Sequence, residues 1–364
     1  MLFSIFRWPL ITVFFLFSLN GQVSAFEDNK FDYSDGPYVT WENSQLRFDW
    51  ICKNEHKSRF FSAEALPINF DECGLNVALD RTSFRAEELV FTTDENIAAI
   101  SDFHGQLELM SKIFVNNGIV DKERNWSYGK GHLVITGDVF DRGDKVTEIL
   151  WWLFSLEKQA EQAGGKVHLL LGNHEVMVLN GDLRYIHEKY QYTASELNQP
   201  FEQLYGKNTL LGQWLRSKSV LVKINDMLFA HGGFHPELAT EKRTLTEINQ
   251  VFKANLVKAE LDKARSGWGK YLHKRNGPIW YRGYFNVLGA SEQEIDLLLK
   301  HFDISYLVVG HTSQKKLETR YNGRVIAIDS SIKNGQYGEV LLIENGKKYR
   351  GLPVGNKQPF LVAE

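Results

Sequence analysis

Short apolar runs closed by small or polar residues recur along the chain from residue 97 onward. Runs of this length are typical of buried strands, and stretches between several of them repeat apolar residues at helical spacing. The predicted strands cover residues 97–100, 133–136, 167–171, 306–309, 324–328 and 339–343. Strand, loop and helix in alternation predict an α/β fold whose strands are linked by long crossovers.

Two further patterns complete this outline. Residues 220–224 and 227–230 flank Asn225 and Asp226, a favoured turn pair, and predict a β-hairpin. The predicted helical stretches are about 107–114, 145–162, 176–217 and 244–265. Because strands return in the final third of the chain, two half-sheets that face each other across one site form the simplest architecture.

The first 25 residues have the pattern of a secretory signal peptide. Arg7 is their only charged side chain, residues 8–19 are nearly all apolar, and Val23-Ser24-Ala25 offers small residues for cleavage. The apolar run is too short for a membrane span. A retained amphipathic anchor is the alternative, but the segment lacks a polar face. We expect an exported protein, periplasmic or secreted, with no membrane attachment after cleavage.

Charge and cysteine content narrow the possible partners and mechanisms. A formal net charge of −3 gives no electrostatic reason to expect a nucleic-acid partner. The two cysteines, Cys52 and Cys73, are predicted to form a disulfide in an oxidising compartment, and two buried thiols are the alternative. Eight prolines against 29 glycines would loosen the loops, which fits an enzyme active in the cold.

Five of the predicted strands end in polar residues of metal-binding type. The loops that follow these strands cover residues 102–105, 137–143, 172–175, 231–233 and 310–312. Open α/β sheets bind ligands at the carboxyl ends of their strands. One such loop alone is weak evidence, but five in succession predict a metal centre. Asp, Asn and His side chains suit divalent cations such as Zn, Mn or Fe.

The motifs in these loops resemble a known family. In order they read D-x-H-G, G-D-x-x-D-R-G, G-N-H-E, H-G-G and G-H-T, as in the calcineurin-like metallophosphoesterases and specifically the PPP-type phosphoprotein phosphatases. Residues 180–182, 280–284 and 310–314 are similar to the Shewanella-like branch of that family. The resemblance covers roughly residues 93–345. Ser101 departs from it, since Gly commonly precedes the Asp, and we expect only a changed turn there.

The resemblance implies a β-sandwich flanked by helices, with a dinuclear metal site at the strand ends. One ion would be held by Asp102, His104 and Asp138. The other would be held by Asp138 as a bridge together with Asn173, His231 and His311. The resemblance implies two ions per chain, which would be Zn, Mn, Fe or Mg, without fixing their identity. Paired ions of this kind turn a bound water into a hydroxide that attacks phosphorus without a covalent enzyme intermediate.

The resemblance also implies four catalytic roles. His174 would donate a proton to the leaving oxygen and Asp141 would orient its imidazole, while Arg142 and Arg282 would bind the phosphate. The alternatives are that His174 is a metal ligand or a helix cap, and that Arg282 only packs among aromatic residues. The aromatic cluster at 280–285 either lines a groove for a phosphotyrosyl ring or belongs to the core.

The predicted function is a metal-dependent phosphomonoester hydrolase, specifically a monomeric protein phosphatase that prefers phosphotyrosine in phosphoproteins or phosphopeptides. Two alternatives remain, a dinucleoside polyphosphate or nucleotide hydrolase and a metal-loaded binding protein. The first would require extra cations and an aromatic platform along the groove. The expected segments are a signal peptide (1–25), an extension packed on the core (26–92), a metallophosphoesterase domain (93–345) with a helical insertion (about 240–280), and a tail (346–364).

Overall fold

The structure, a computed structural model, describes residues 32–360, and the expected signal peptide lies outside these residues. Their strands are β1 (Asp35–Glu42), β2 (Gln45–Cys52), β3 (Glu55–Ser62), β4 (Ile68–Glu72), β5 (Leu75–Leu79), β6 (Val90–Phe91), β7 (Ile97–Ile100), β8 (His132–Ile135), β9 (Lys166–Leu169), β10 (Leu221–Ile224), β11 (Met227–Ala230), β12 (Tyr306–Val309), β13 (Glu318–Arg320), β14 (Val325–Ala327), β15 (Val340–Glu344), β16 (Lys347–Gly351) and β17 (Lys357–Pro359).

The α-helices of the same residues lie mainly between these strands. They are α1 (Leu107–Asn116), α2 (Val146–Gln162), α3 (Asn173–Leu179), α4 (Glu188–Glu196), α5 (Leu210–Ser217), α6 (Glu237–Thr240), α7 (Leu245–Ala254), α8 (Gly267–Tyr271) and α9 (Glu292–Phe302). Within residues 32–360 we find no helix whose length and apolar character would let it cross a bilayer.

Two six-stranded sheets form the centre of the fold. The first has the order β17-β16-β15-β7-β8-β9 and the second the order β13-β14-β12-β11-β10-β6. In the first sheet β7, β8 and β9 are parallel, with α1 and α2 in the crossovers, and in the second β11, β12 and β14 are parallel. The predicted hairpin is present, with Ile224 paired to Met227. The α/β prediction and the two-sheet architecture are confirmed.

Alternate side chains of the strands contribute to two cores, one between the two sheets and the other beneath the helices. Along β7, Ile97 and Ala99 belong to the inter-sheet cluster, whereas Ala98 and Ile100 belong to the cluster that includes the helices. Val308 of β12 likewise belongs to the inter-sheet cluster. Since successive residues of a strand point to opposite faces, strands buried on both faces read as continuous apolar runs. This is why these strands are visible in the sequence.

The N-terminal segment forms sheets of its own, which the sequence analysis did not predict. Strands β1, β2 and β3 make an antiparallel sheet, and β4 and β5 a hairpin. Phe48 and Phe70 are buried in the same cluster as α2. The predicted disulfide is confirmed, and it joins Cys52 at the end of β2 to Cys73 in the β4–β5 turn. The segment ends in β6, which pairs with β10 of the second sheet.

Two further differences from the sequence analysis concern the end of the chain. The segment 346–364, expected as a tail, supplies β16 and β17 to the first sheet, so residue 345 is not a boundary of that sheet. Helix α9 was not predicted. It begins with a capping box in which Ser291 and Glu294 each bind the other's backbone N–H, and this four-residue signal was visible in the sequence.

Candidate metal centre

The loops at the strand ends hold several predicted site residues in a strained backbone conformation. Asp102, His104, Asp138 and His311 have positive φ values of 59°, 47°, 59° and 64°. The left-handed region is costly for residues with a Cβ, and such strain persists where surrounding structure enforces it. Here the loops are tied together, since the N–H of His104 donates to the carbonyl of Asp138 at 2.9 Å.

Asp138 lies at the centre of the site. Its Oδ2 atom is 3.6 Å from Nε2 of His104, 3.8 Å from Nε2 of His174 and 3.2 Å from Nε2 of His231. Nε2 of His104 is also 3.8 Å from Oδ1 of Asp102. All five side chains are buried. The predicted bridging carboxylate is therefore the group on which imidazoles from three different loops converge.

A second group of ligand atoms converges beside Asp138. Nε2 of His231 lies 2.9 Å from Oδ1 of Asn173 and 3.1 Å from Nδ1 of His311. Nδ1 of His231 is 3.0 Å from the carbonyl oxygen of Thr136. That carbonyl can only accept, so Nδ1 carries a proton, and in the neutral ring Nε2 is free to bind a cation. The carbonyl thus fixes the orientation of the ring, as a backbone carbonyl commonly does for a histidine that binds a metal.

The arrangement of these atoms suits a bound metal ion better than it suits hydrogen bonds among the residues themselves. His231 Nε2 approaches an amide oxygen, a carboxylate oxygen and another imidazole nitrogen at one point, and one N–H cannot satisfy all three. Nε2 of His311 is buried and has no hydrogen-bond partner in the described residues. Such groups are costly unless a ligand completes them. The groups His104–Asp138–His174 and Asp138–His231–His311 each bring their ligand atoms within 4.8 Å.

Burial and the crowding of charges shift the pKa values of these groups strongly. Burial, reinforced by Asp329, raises the pKa of Asp102 to about 8. Burial lowers the pKa of His104 to about 3. The pKa of His231 is raised to about 9 because the attraction of Asp138 outweighs burial. Carboxylates and imidazoles packed this closely have strongly perturbed protonation, which is typical of a functional site.

His174 has a different environment on its two ring nitrogens. Its Nδ1 forms a short hydrogen bond with Oδ2 of Asp141, and its backbone N–H donates to Oδ1 of Asp138 at 2.9 Å. Burial opposes a charged ring, but Asp138 and Asp141 together raise the pKa of His174. The predicted His174–Asp141 pair is therefore present, and Nε2 is left to face the site.

The two predicted phosphate-binding arginines lie near the site without a carboxylate partner. Among residues 32–360 neither Arg142 nor Arg282 forms an ion pair. The guanidinium of Arg142 lies 5.4 Å from the ring centre of Tyr185. Arg282 donates to the carbonyl oxygen of His311 at 2.8 Å, which holds it beside the second ligand group. Both cations are thus available to an anionic substrate.

Glu175, the last residue of the G-N-H-E motif, has a structural role at the site. Its carboxylate accepts hydrogen bonds from the N–H groups of Gly172 at 2.7 Å, Asp138 at 2.8 Å and Val139 at 2.7 Å. It therefore ties the loop after β8 to the start of α3. The G-N-H-E motif contains it, but only the fold reveals that it binds another loop.

Ser101 and Tyr185 were missed as contributors to the site. Ser101 donates a hydrogen bond to Oδ2 of Asp102 and accepts one from Thr136 at 2.7 Å, so it orients the carboxylate rather than merely changing a turn. Tyr185 lies 5.5 Å from the His174 ring and is 43% exposed. Its position depends on an irregular loop, which carries no periodic signal.

The comparisons with known proteins agree with this site. The sequence matches the calcineurin-like phosphoesterase family over residues 95–315. The crystal structure of a cold-active protein-tyrosine phosphatase from a psychrophilic Shewanella species is 41% identical, with a TM-score of 0.85, and the match covers 90% of this chain and 100% of that one.

Two of the relatives found by sequence similarity illustrate the match. An uncharacterised protein of Schizosaccharomyces pombe is 33% identical over 67% of this chain and 75% of its own length. Shewanella-like protein phosphatase 1 of Plasmodium berghei is 30% identical over 60% of this chain and 61% of its own length.

Fold and site together define a phosphoric monoester hydrolase that depends on metal ions. The chain belongs to the calcineurin-like phosphoesterase family. The resemblance to its Shewanella-like protein phosphatases, inferred from the motifs, is confirmed.

Proposed function

We propose that the chain is an exported, monomeric, metal-dependent protein phosphatase that holds two divalent ions and prefers phosphotyrosine. The observation that carries the proposal is the position of Asp138, whose Oδ2 is 3.6 Å from His104 Nε2 and 3.2 Å from His231 Nε2. These two imidazoles belong to the two different groups of ligand atoms, so one carboxylate can serve both. The ligand oxygens and nitrogens suit Zn, Mn, Fe or Mg.

The residues divide into two ligand sets in this proposal. Asp102, His104 and Asp138 would hold one ion, and Asp138, Asn173, His231 and His311 the other. When bound, such ions lower the pKa of a coordinated water and neutralise phosphoryl charge. The proposed ligands come from loops at strand ends and, for Asn173, from the first residue of α3, so both sheets would contribute to holding the ions.

The chain's own residues supply the remaining steps. His174 holds a proton at Nε2, since Nδ1 is engaged by Asp141, and gives that proton to the leaving phenolate oxygen. Arg142 and Arg282 bind the phosphate oxygens and stabilise the charge that develops on them. Both cysteines are joined in the disulfide, so neither can act as a nucleophilic thiolate.

Aromatic side chains beside the site support the preference for tyrosine. The Trp280 ring lies 5.7 Å from the His311 ring, and the Tyr185 ring lies 5.5 Å from the His174 ring. By contrast, Tyr281 and Tyr284 of the predicted aromatic cluster are buried in the core. Trp280 and Tyr185 therefore form the boundaries of the space in which a phosphotyrosyl ring would lie.

Export is supported by the disulfide as well as by the signal-like N-terminus. Disulfides persist in oxidising compartments and are rare in the cytosol. N-terminal sequencing of the protein recovered outside the cytoplasm should begin at Phe26. A protein recovered only in the cytosol with its full N-terminus would contradict export.

A substrate panel tests the proposed activity. We expect a phosphotyrosyl peptide to be hydrolysed faster than a phosphoseryl peptide or diadenosine tetraphosphate, and a chelator to abolish turnover of all three. The nucleotide alternative is not favoured, since the 41% identical structure is a protein-tyrosine phosphatase. Preferential hydrolysis of the nucleotide, or turnover that survives removal of metal, would contradict the proposal.

A further inference from the structure

A cavity of about 620 Å³ opens beside the candidate metal centre. Its charged lining residues come from the loop after α3, from the segment between α7 and α8, and from the loop that carries Arg282. They are Asp182, Lys258, Arg265, Lys274, Arg275 and Arg282. Five cations against one carboxylate contrast with the formal net charge of −3 of the whole chain.

These cations have no anionic partner within the cavity. Asp182 is engaged by Arg184, which donates to its two carboxylate oxygens at 2.7 and 2.8 Å. None of the five cations forms an ion pair with another residue in the range 32–360. Arg265 is instead held by the carbonyls of Asn255 and Leu256, each at 2.7 Å. A concentration of unpaired cations at a cleft raises the local concentration of anions.

His273 forms a buried, uncharged part of the cavity wall. The side chain lines the cavity, is only 6% exposed, and is stacked on Phe252 with ring centres 4.1 Å apart. Its Nδ1 donates to the carbonyl of Gly269 at 2.9 Å, so the neutral ring keeps a lone pair on Nε2. That Nε2 is itself buried and has no partner in the described residues, so the neutral ring adds no charge to the cavity wall.

The cavity adjoins the candidate metal centre through two of its lining residues. Arg282 lines it and also donates to the carbonyl oxygen of His311, and Trp280 lines it while contacting the His311 ring edge-on. Residues that flank a phosphate held at the metal centre would therefore enter this cavity. The cavity is large enough to hold peptide side chains next to the protein side chains that line it.

We propose that this cavity binds acidic side chains next to the phosphorylated residue, so that the enzyme selects acidic phosphopeptides. This inference rests on the proposed phosphatase function and specifies its substrate class. A peptide ligand is favoured over a nucleotide because the cations come from two separate segments of the chain rather than from one phosphate-binding loop. Among the described residues that line the cavity, Trp280 is the one with a phenyl or indole ring.

Two peptides and two triple variants test the inference. The peptides carry phosphotyrosine and have equal length, one with Glu and the other with Gln at the flanking positions. The first variant combines Lys258→Gln, Lys274→Gln and Arg275→Gln, all exposed positions whose change should not affect folding. The control combines Arg85→Gln, Lys112→Gln and Lys130→Gln, which are equally exposed and lie outside the cavity lining.

We expect kcat/KM of the unmodified protein to be roughly tenfold higher for the Glu peptide, because several exposed ion pairs form together. The first variant should reduce this ratio to about one, and the control variant should keep it. The preference should also weaken at high salt, since exposed charges are screened. A ratio near one in the unmodified protein, or equal ratios in both triple variants, would overturn the inference.

Two further outcomes separate this inference from the proposed function. If the protein hydrolysed neither peptide, both the acidic-peptide inference and the proposed phosphatase function would be overturned. Equal turnover of the two peptides, together with loss of diadenosine tetraphosphate turnover in the first variant alone, would assign the cavity to nucleotides. That result would overturn the acidic-peptide inference while leaving the phosphoesterase activity in place.

Discussion

Asp138 is the residue on which the electrostatics of the site depend. Its pKa is held well below the usual range, since the attraction of His231 and His174 outweighs the effect of burial. An ionised, buried carboxylate of this kind needs positive charge close by. The imidazoles supply part of that charge in the described structure, and divalent ions would supply more while leaving the imidazoles neutral.

The variant His174→Asn tests whether this residue is a general acid or a metal ligand. We expect kcat to fall by roughly 10²–10⁴-fold, the usual contribution of a general acid, while metal content stays unchanged. Steady-state kinetics with a phosphotyrosyl peptide and metal analysis of the same sample measure both quantities. His56→Asn, which changes an exposed imidazole on β3, is the matched control. Loss of an ion from the His174 variant would make this residue a ligand instead.

At the level of elements, the strand-end loops are shaped by close backbone approaches. Gly137 has φ +105°, and a Cβ at this position would lie 2.3 Å from the backbone nitrogen of Gly172. The loop after β8 therefore packs directly on the loop after β9. Glycines in the motifs were visible in the sequence, but the partner that each one approaches becomes known only when the sheet order is known.

Gly137→Ala should be more destabilising than an alanine placed at an equally left-handed glycine in open space. Gly346 is that control, with φ +73°, and a Cβ added there would meet no described atom within 4 Å. We expect Gly346→Ala to lower the free energy of unfolding by about 1 kcal/mol, and Gly137→Ala to lower it by about 3 kcal/mol and also to reduce turnover. Urea denaturation measures the difference. Equal losses would contradict the packing argument.

The disulfide is the other feature that holds secondary-structure elements together, since it links β2 to the β4–β5 turn. Replacing both Cys52 and Cys73 with Ser should lower the free energy of unfolding by about 3 kcal/mol, as expected for a bridge between positions separated by 21 residues. Turnover at low temperature should stay within about twofold, because neither cysteine belongs to the ligand sets. A variant that is fully folded but inactive would show that the N-terminal sheet has a catalytic role.

Strands with a uniform apolar pattern were predicted correctly from the sequence. Strands whose apolar positions are mixed with charged residues were missed. Strands buried on both faces, such as β7 and β12, stood out as apolar runs. The strands β2 and β5 were missed, although Leu46, Phe48 and Trp50 alternate with more exposed residues. That period-two pattern is the usual signal of a strand with one buried face. It was obscured by the charges around it.

At the scale of the whole molecule, the two sheets explain why motifs far apart in sequence form one site. Asp102 and Asp138 follow strands of the first sheet, whereas His231 and His311 follow strands of the second. The motif set predicted a ligand role for these residues because it is specific to the family, and that role stays a prediction. Tyr185 and the basic cavity could not be predicted in this way, since they depend on irregular segments brought together by the fold.

The most direct test of the account is the number of metal ions bound per chain in the unmodified protein and in Asp138→Asn. Mass-spectrometric metal analysis of the two purified proteins makes this measurement. We expect two ions in the unmodified protein and the loss of at least one in the variant, because one carboxylate would serve both ligand groups. An Asp138→Asn protein that retains both ions at full occupancy would contradict it.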